Sequence, residues 1–175
     1  GAGAAGTASV PATPTTLSAE DAAKPWFLRG NFAPVTDELE VAELRVRGSI
    51  PAELSGLYVR NGSNPLPGYS PHWFLGDGML HGVTLEDGRA SYRNRWVRSR
   101  GLQAESKLGR AVYPGLSDVM NFPDASLVGD AGPVKNPANT HIIRHASRYL
   151  ALWEGGLPTE VTASFDTIGE YDFDG

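Results

Sequence analysis

Residues 136–156, NPANTHIIRHASRYLALWEGG, hold two of the four histidines, a threonine and a glutamate inside two short apolar runs. Such side chains are metal ligands and proton acceptors, so a metal site is the first chemistry to test. THIIRH and YLALWE read as two strands around a three-residue turn at Ala146-Ser147-Arg148. That turn sets Thr140 opposite Glu154, Ile142 opposite Leu152 and Arg144 opposite Leu150. Alternation then puts Thr140, Ile142, Leu152 and Glu154 on one face, with His141 and His145 on the other. Histidines four apart on a strand have Cα atoms roughly 13 Å apart, too far to converge on one ion. They read as polar residues of a half-exposed hairpin face. His72 and His81 flank FLGDGML and read as one surface and one sheet residue. Glu154 ends an apolar strand just before Gly155-Gly156. Either it is exposed at the strand end, or it is a buried carboxylate orienting a group such as the N–H of a ligating histidine.

The elements that must position these residues are strands. The 21 glycines and 13 prolines are spread as punctuation between short β-rich runs. Residues 1–25 read as a flexible tail ending in one or two helical turns capped by Ser18. Ordered structure is expected from Trp26, as one domain over 26–175. Strands are expected at 38–50 (broken at Ala42–Glu43), 55–62, 79–85, 89–98, 138–145, 149–154 and 160–166. Asp87-Gly88 between two β-runs predicts a hairpin. Residues 101–135 lose the pattern and read as a long loop excursion with short helical turns at most. The class is all-β, a propeller or a sandwich, with no helix between the strands.

Composition narrows the rest. The 175 residues are 41% hydrophobic and 20% charged, as in a globular domain. A net charge of −5 argues against a nucleic-acid partner. The absence of cysteine excludes disulfides and thiolate metal sites and suits a cytoplasmic location. No apolar run approaches the ~20 residues of a transmembrane helix, and the first residues lack a signal peptide's basic and apolar regions.

GNFAPV (30–35), GSIPAELSGLYVRNGSNP (48–65), HWFLGDGMLHG (72–82), YRNRWV (92–97) and NPANTHIIRHASRYLALWEGGLPTEV (136–161) occur in an order that resembles the carotenoid cleavage oxygenases. That family includes apocarotenoid and lignostilbene dioxygenases and the retinal-pigment-epithelium retinoid isomerase. The resemblance covers about residues 30–175. It implies a seven-bladed β-propeller, of which this chain holds the first two to three blades. It implies Fe(2+) on the propeller axis, held by four histidines, three of them oriented by glutamates, with O2 as co-substrate and an alkene cleaved to two carbonyls. The substrate is a carotenoid or apocarotenoid, or alternatively a stilbene.

Carried over by motif, Glu154 matches a glutamate that orients an iron-ligating histidine. Thr140 matches a side chain leaning toward an open coordination site, and Trp153 an aromatic of the substrate pocket. Lys135 matches a neighbourhood whose lysine hydrogen-bonds a phenol in the stilbene enzymes, or else is a solvated loop lysine. The hairpin alternation puts Trp153 on the face away from Glu154, a tension with the family match. None of His72, His81, His141 and His145 falls on a ligand position. The iron ligands are therefore expected beyond Gly175, and the fragment alone is expected to be inactive. The partners implied are the polyene or stilbene, the remainder of the propeller, and a weak, reversible membrane-surface contact through 101–135. The rival class is a non-catalytic propeller module that binds an apolar ligand or a protein.

Overall fold

A computed structural model of the chain describes residues 18–66, 70–115 and 120–175. The tail expected over residues 1–17 lies outside the described residues. The chain divides into two units, 1–33 and 34–175. In the first, helix α1 (Ala19–Ala23) is capped by Ser18, whose hydroxyl accepts from the Asp21 amide at 3.0 Å. Two 3-10 turns follow, Trp26–Leu28 and Gly30–Phe32.

The second unit is built on two four-stranded antiparallel sheets. The first has the order β1-β4-β3-β2, from Glu40–Val41 (β1), Gly56–Ser63 (β2), Gly78–Glu86 (β3) and Arg89–Trp96 (β4). Asp87 and Gly88 turn β3 into β4 with φ of 49° and 73°, the left-handed pair of a type I′ hairpin. The strand expected at 38–50 shrinks to Glu40–Val41, paired with Arg93 and Tyr92. Outside it the edge run meets β4 where the Leu44 amide donates to the Ala90 carbonyl at 2.7 Å and where the Asn94 amide donates to the Leu39 carbonyl at 3.2 Å.

Residues 101–135, expected to hold short helical turns at most, carry a longer helix. Helix α2 (Arg100–Leu108) runs nine residues between the two sheets, and α3 (Ala125–Val128) adds one turn. Ser99 caps α2, and Gly109 at φ 66° stops it in the left-handed conformation. Gly101, Leu102 and Glu105 form its buried face, and Leu102 packs with Met79 and Trp96 of the first sheet.

The second sheet is a meander in chain order: β5 (His141–His145), β6 (Arg148–Leu152), β7 (Thr159–Val161) and β8 (Thr167–Glu170). The β5–β6 turn has two residues, not three. Ala146 and Ser147 take φ of 45° and 66°, so His145 pairs Arg148 and His141 pairs Leu152. The whole register lies one residue away from that expected.

The two sheets share one core. Leu80 and Val97 of the first meet Ile142, Ala151, Val161 and Phe165 of the second around Ala138. Backbone contact is close: a Cβ on Gly82 would stand 2.3 Å from Phe165 Cζ. The sequence motifs form the joint. Asn61 Nδ2 donates to the carbonyls of Ala138 (2.7 Å) and His141 (3.0 Å). Asn139 Nδ2 donates to those of Phe74 (2.9 Å) and Gly76 (2.6 Å). The Gly78 amide donates to the Pro137 carbonyl at 2.8 Å, and a Cβ on Gly78 would lie 2.1 Å from the Ala138 oxygen. Both glycines of GDG are sterically required: the PANT backbone presses on Gly78, and Ser63 and Pro65 press on Gly76.

Candidate functional site

Two groups of side chains meet at the NPANT–LALWE hairpin. The first is Thr140 with Glu154. Despite the shifted register the two touch, Thr140 Oγ1 donating to Glu154 Oε2 at 2.9 Å. The reason lies at the end of β6. The strand stops at Leu152, and residues 154–155 form a turn that carries the carboxylate back over Thr140. Trp153 follows the last residue of β6 and leaves the ladder, its ring turned to the cavity described below and away from Glu154. Gly155 and Gly156 make room for its ring: a Cβ on Gly155 would lie 2.6 Å from Trp153 Cη2. Thr140 and Glu154 are both exposed in this chain, so the buried-carboxylate reading of Glu154 does not hold within it.

The second group borders a cavity of about 180 Å³ with walls from Leu66, Leu75, Tyr113, Val134 and Trp153. Its polar end is a buried ion cluster. Lys135 Nζ lies 2.5 Å from Asp77 Oδ1 and 2.6 Å from Glu105 Oε2, with side-chain exposures of 14%, 4% and 9% respectively. A solvated loop lysine is thereby excluded. Each carboxylate also ties down backbone: Asp77 Oδ2 accepts from the Leu66 amide at 3.0 Å, and Glu105 Oε1 from Val112 (2.9 Å) and Tyr113 (3.2 Å). Burial pulls the Lys135 pKa down, but the two carboxylates together outweigh it and hold the ammonium above the ordinary lysine value. Burial, then the charge of Glu105, pushes the Tyr113 phenol up, and its hydroxyl donates to the Gly132 carbonyl at 3.2 Å.

Lys135 and Trp153 thus share one cavity, while Thr140 and Glu154 form a separate pair on the same hairpin. The sequence reading missed Asp77 and Glu105. The available signals were an aspartate locked between two close-packed glycines and a glutamate on the Gly101–Leu102 face of a capped helix.

The histidines go elsewhere. His72 Nδ1 accepts from the Phe74 amide at 3.2 Å. His81 Nδ1 lies 2.8 Å from the Tyr92 hydroxyl, and burial, followed by the charge of Arg60, lowers its pKa to about 4. His141 and His145 are exposed on β5. Among the described residues no three His, Asp or Glu side chains converge as a metal site requires. The described residues do not themselves fit an iron-ligand set.

Two four-stranded antiparallel sheets, joined through the PANT segment, thus carry the Thr140–Glu154 pair at the end of β6. The family model for the retinal pigment epithelial membrane protein matches residues 32–175. The chain is 42% identical over 166 residues to a carotenoid cleavage oxygenase of Mycobacterium tuberculosis, covering 92% of this chain and 30% of that protein. It superposes on the crystal structure of Pseudomonas brassicacearum lignostilbene dioxygenase with a TM-score of 0.74 and 30% identity, covering 85% of this chain and 31% of that one. It superposes on a Glu→Gln variant of Synechocystis apocarotenoid oxygenase with a TM-score of 0.67 and 32% identity, covering 81% and 31%. That oxygenase has also been solved as a Thr→Ala variant and in cobalt-substituted form. Its two substituted positions are 14 residues apart, the separation of Thr140 and Glu154.

The chain belongs to the carotenoid cleavage oxygenase family, a family of enzymes, and its sheets are blades of that family's β-propeller. It spans about 30% of the length of the curated relatives it matches.

Proposed function

We propose that a protein containing this chain and the rest of the propeller is an Fe(2+)-dependent dioxygenase that cleaves one alkene bond of a carotenoid or apocarotenoid into two carbonyl products. When bound, the iron would supply the site at which O2 is activated. This chain's own contribution is outer support. Glu154 accepts the ring N–H of a ligating histidine from another blade and so fixes its tautomer and orientation. Thr140 positions that carboxylate through its hydroxyl and narrows access beside it. Trp153 and Lys135 border the pocket for the apolar substrate. The observation that carries this reading is the Thr140–Glu154 hydrogen bond at 2.9 Å, at the spacing of the two positions substituted in the apocarotenoid oxygenase.

A stilbene substrate is the second reading, favoured by the similarity to the lignostilbene dioxygenase and by the place of Lys135 at the cavity. Among the described residues no helix is long and apolar enough to cross a membrane. A cytoplasmic protein touching membranes weakly through Met120 and Phe122, which are 80% and 49% exposed, fits a water-insoluble substrate.

The test is product analysis of the full-length, iron-loaded protein with an apocarotenoid and with a hydroxylated stilbene under O2. Two carbonyl fragments from the apocarotenoid are expected. Glu154→Gln should lower turnover by about 10- to 100-fold with the fold intact. Carbonyl products from neither substrate would leave the non-catalytic propeller module standing. Wild-type turnover and iron content in Glu154→Gln would remove that residue from the mechanism.

A further inference from the structure

We infer that the Asp77–Lys135–Glu105 cluster is a charge filter at the polar end of the cavity: it receives the neutral, hydroxyl-bearing end of an apolar ligand and turns carboxylate ends away. The inference rests on the proposed polyene-cleaving reading, since the ligand end being sorted is that enzyme's substrate.

What the cluster can receive is set by the donors and acceptors it still has free. The Lys135 ammonium donates to Glu105 Oε2 and lies in ion contact with Asp77 Oδ1, an oxygen that no other group satisfies. Asp77 Oδ2 and Glu105 Oε1 are spent on backbone amides, and the Tyr113 hydroxyl on Gly132. At least one ammonium N–H and the spare lone pairs of the two carboxylates remain. A hydroxyl donates and accepts through one oxygen, so it satisfies both kinds of group at once. A carboxylate can only accept, and it meets two negative charges for one positive. Lys135 is the one cation among the described residues lining the cavity, so the polar end keeps a formal charge of −1. The leucine, valine and tryptophan walls keep water scarce, which strengthens the repulsion and leaves the cost of stripping a carboxylate's hydration unrepaid.

The test uses the full-length, iron-loaded protein without O2, so that ligands bind and are not consumed. Binding is read by quenching of tryptophan fluorescence with three probes of equal polyene length: an apocarotenoid alcohol, the corresponding acid, and the methyl ester of that acid. The alcohol should bind most tightly, the ester more weakly because it lacks a donor, and the acid at least ~10-fold more weakly than the ester. The ester is larger than the acid, so steric exclusion predicts the opposite order. Glu105→Gln removes one negative charge and should bring the acid to within about threefold of the ester. If that variant does not fold, Asp77→Asn serves, and the wild-type ester-to-acid ratio decides without either. Equal binding of acid and alcohol by the wild-type protein overturns the filter. So does an acid deficit that both variants leave unchanged. Readmitting O2 separates the two levels of argument. Cleavage of the alcohol together with tight acid binding refutes the filter alone, whereas binding of none of the probes refutes the polyene reading and the filter with it.

Discussion

Lys135→Met makes the sharpest demand on the structure. The substitution keeps an unbranched apolar stem and deletes the ammonium that lies 2.5 Å from Asp77 and 2.6 Å from Glu105. Both carboxylates are less than a tenth exposed, so water cannot replace the lost cation. Removing one partner of a buried ion pair costs about 3–5 kcal/mol, against ~0–1 kcal/mol for a surface pair. The upper range applies because one cation serves two anions, and because Glu105 holds the 112–113 backbone while Asp77 holds Leu66. The linkage sign also follows. The folded pKa of Lys135 is raised, so its contribution is complete below the unfolded value of about 10.4 and is lost only as pH rises through the folded value. The assay is urea unfolding of the full-length protein followed by tryptophan fluorescence at pH 7 and pH 9. A loss near 4 kcal/mol, alike at both pH values, is expected. The triple change Lys135→Met, Glu105→Gln, Asp77→Asn should recover part of it, since no unpaired charge is left. A loss below about 1 kcal/mol for Lys135→Met would mean that the cluster behaves as a solvated surface pair.

Gly82→Ala places a Cβ 2.3 Å from Phe165 Cζ, at the seam between the two sheets. It should cost about 1–3 kcal/mol by overpacking, and adding Phe165→Leu should return part of that in the same unfolding assay. His81, its pKa lowered to about 4, should stay neutral at pH 7, and its ring signals in NMR should shift only near that value. Because the folded pKa lies below the unfolded ~6.5, its contribution to stability is complete above about pH 6.5 and is lost as pH falls toward the folded value. A midpoint near 6.5 would contradict its burial against Tyr92. Met120→Asp with Phe122→Asp should abolish co-sedimentation of the full-length protein with neutral liposomes; unchanged sedimentation would remove this loop from membrane contact.

What was legible in the sequence followed from local chemistry. Asp87-Gly88 announced a type I′ turn because glycine and aspartate tolerate positive φ. Ala146-Ser147 makes the same turn without either signal, so the β5–β6 register could not be fixed from the turn residues and came out one residue off. Helix α2 did carry its marks, Ser99 before and Gly109 after, but the Pro- and Gly-rich segment that follows obscured them. The ion cluster was out of reach. Glu105 and Lys135 are 30 residues apart, and nothing local states that they face each other.

The family motifs divide along the same line. Asn61, Gly78, Ala138 and Asn139 lie in the segments that resemble the family's motifs, and every one of them is spent on holding the two sheets together. Their requirement is steric and hydrogen-bonded: a side chain at Gly78 would overlap the Ala138 carbonyl, and loss of the Asn139 amide would take the donor from the buried Gly76 carbonyl. A match in those positions therefore reports the blade joint before it reports any chemistry. Thr140 and Glu154 are different. Both are exposed, their hydrogen bond spans 14 residues, and the sheets would hold together without it. A polar pair that the fold does not need, held at the rim of a joint that the fold does need, is the part of this chain that calls for a functional explanation.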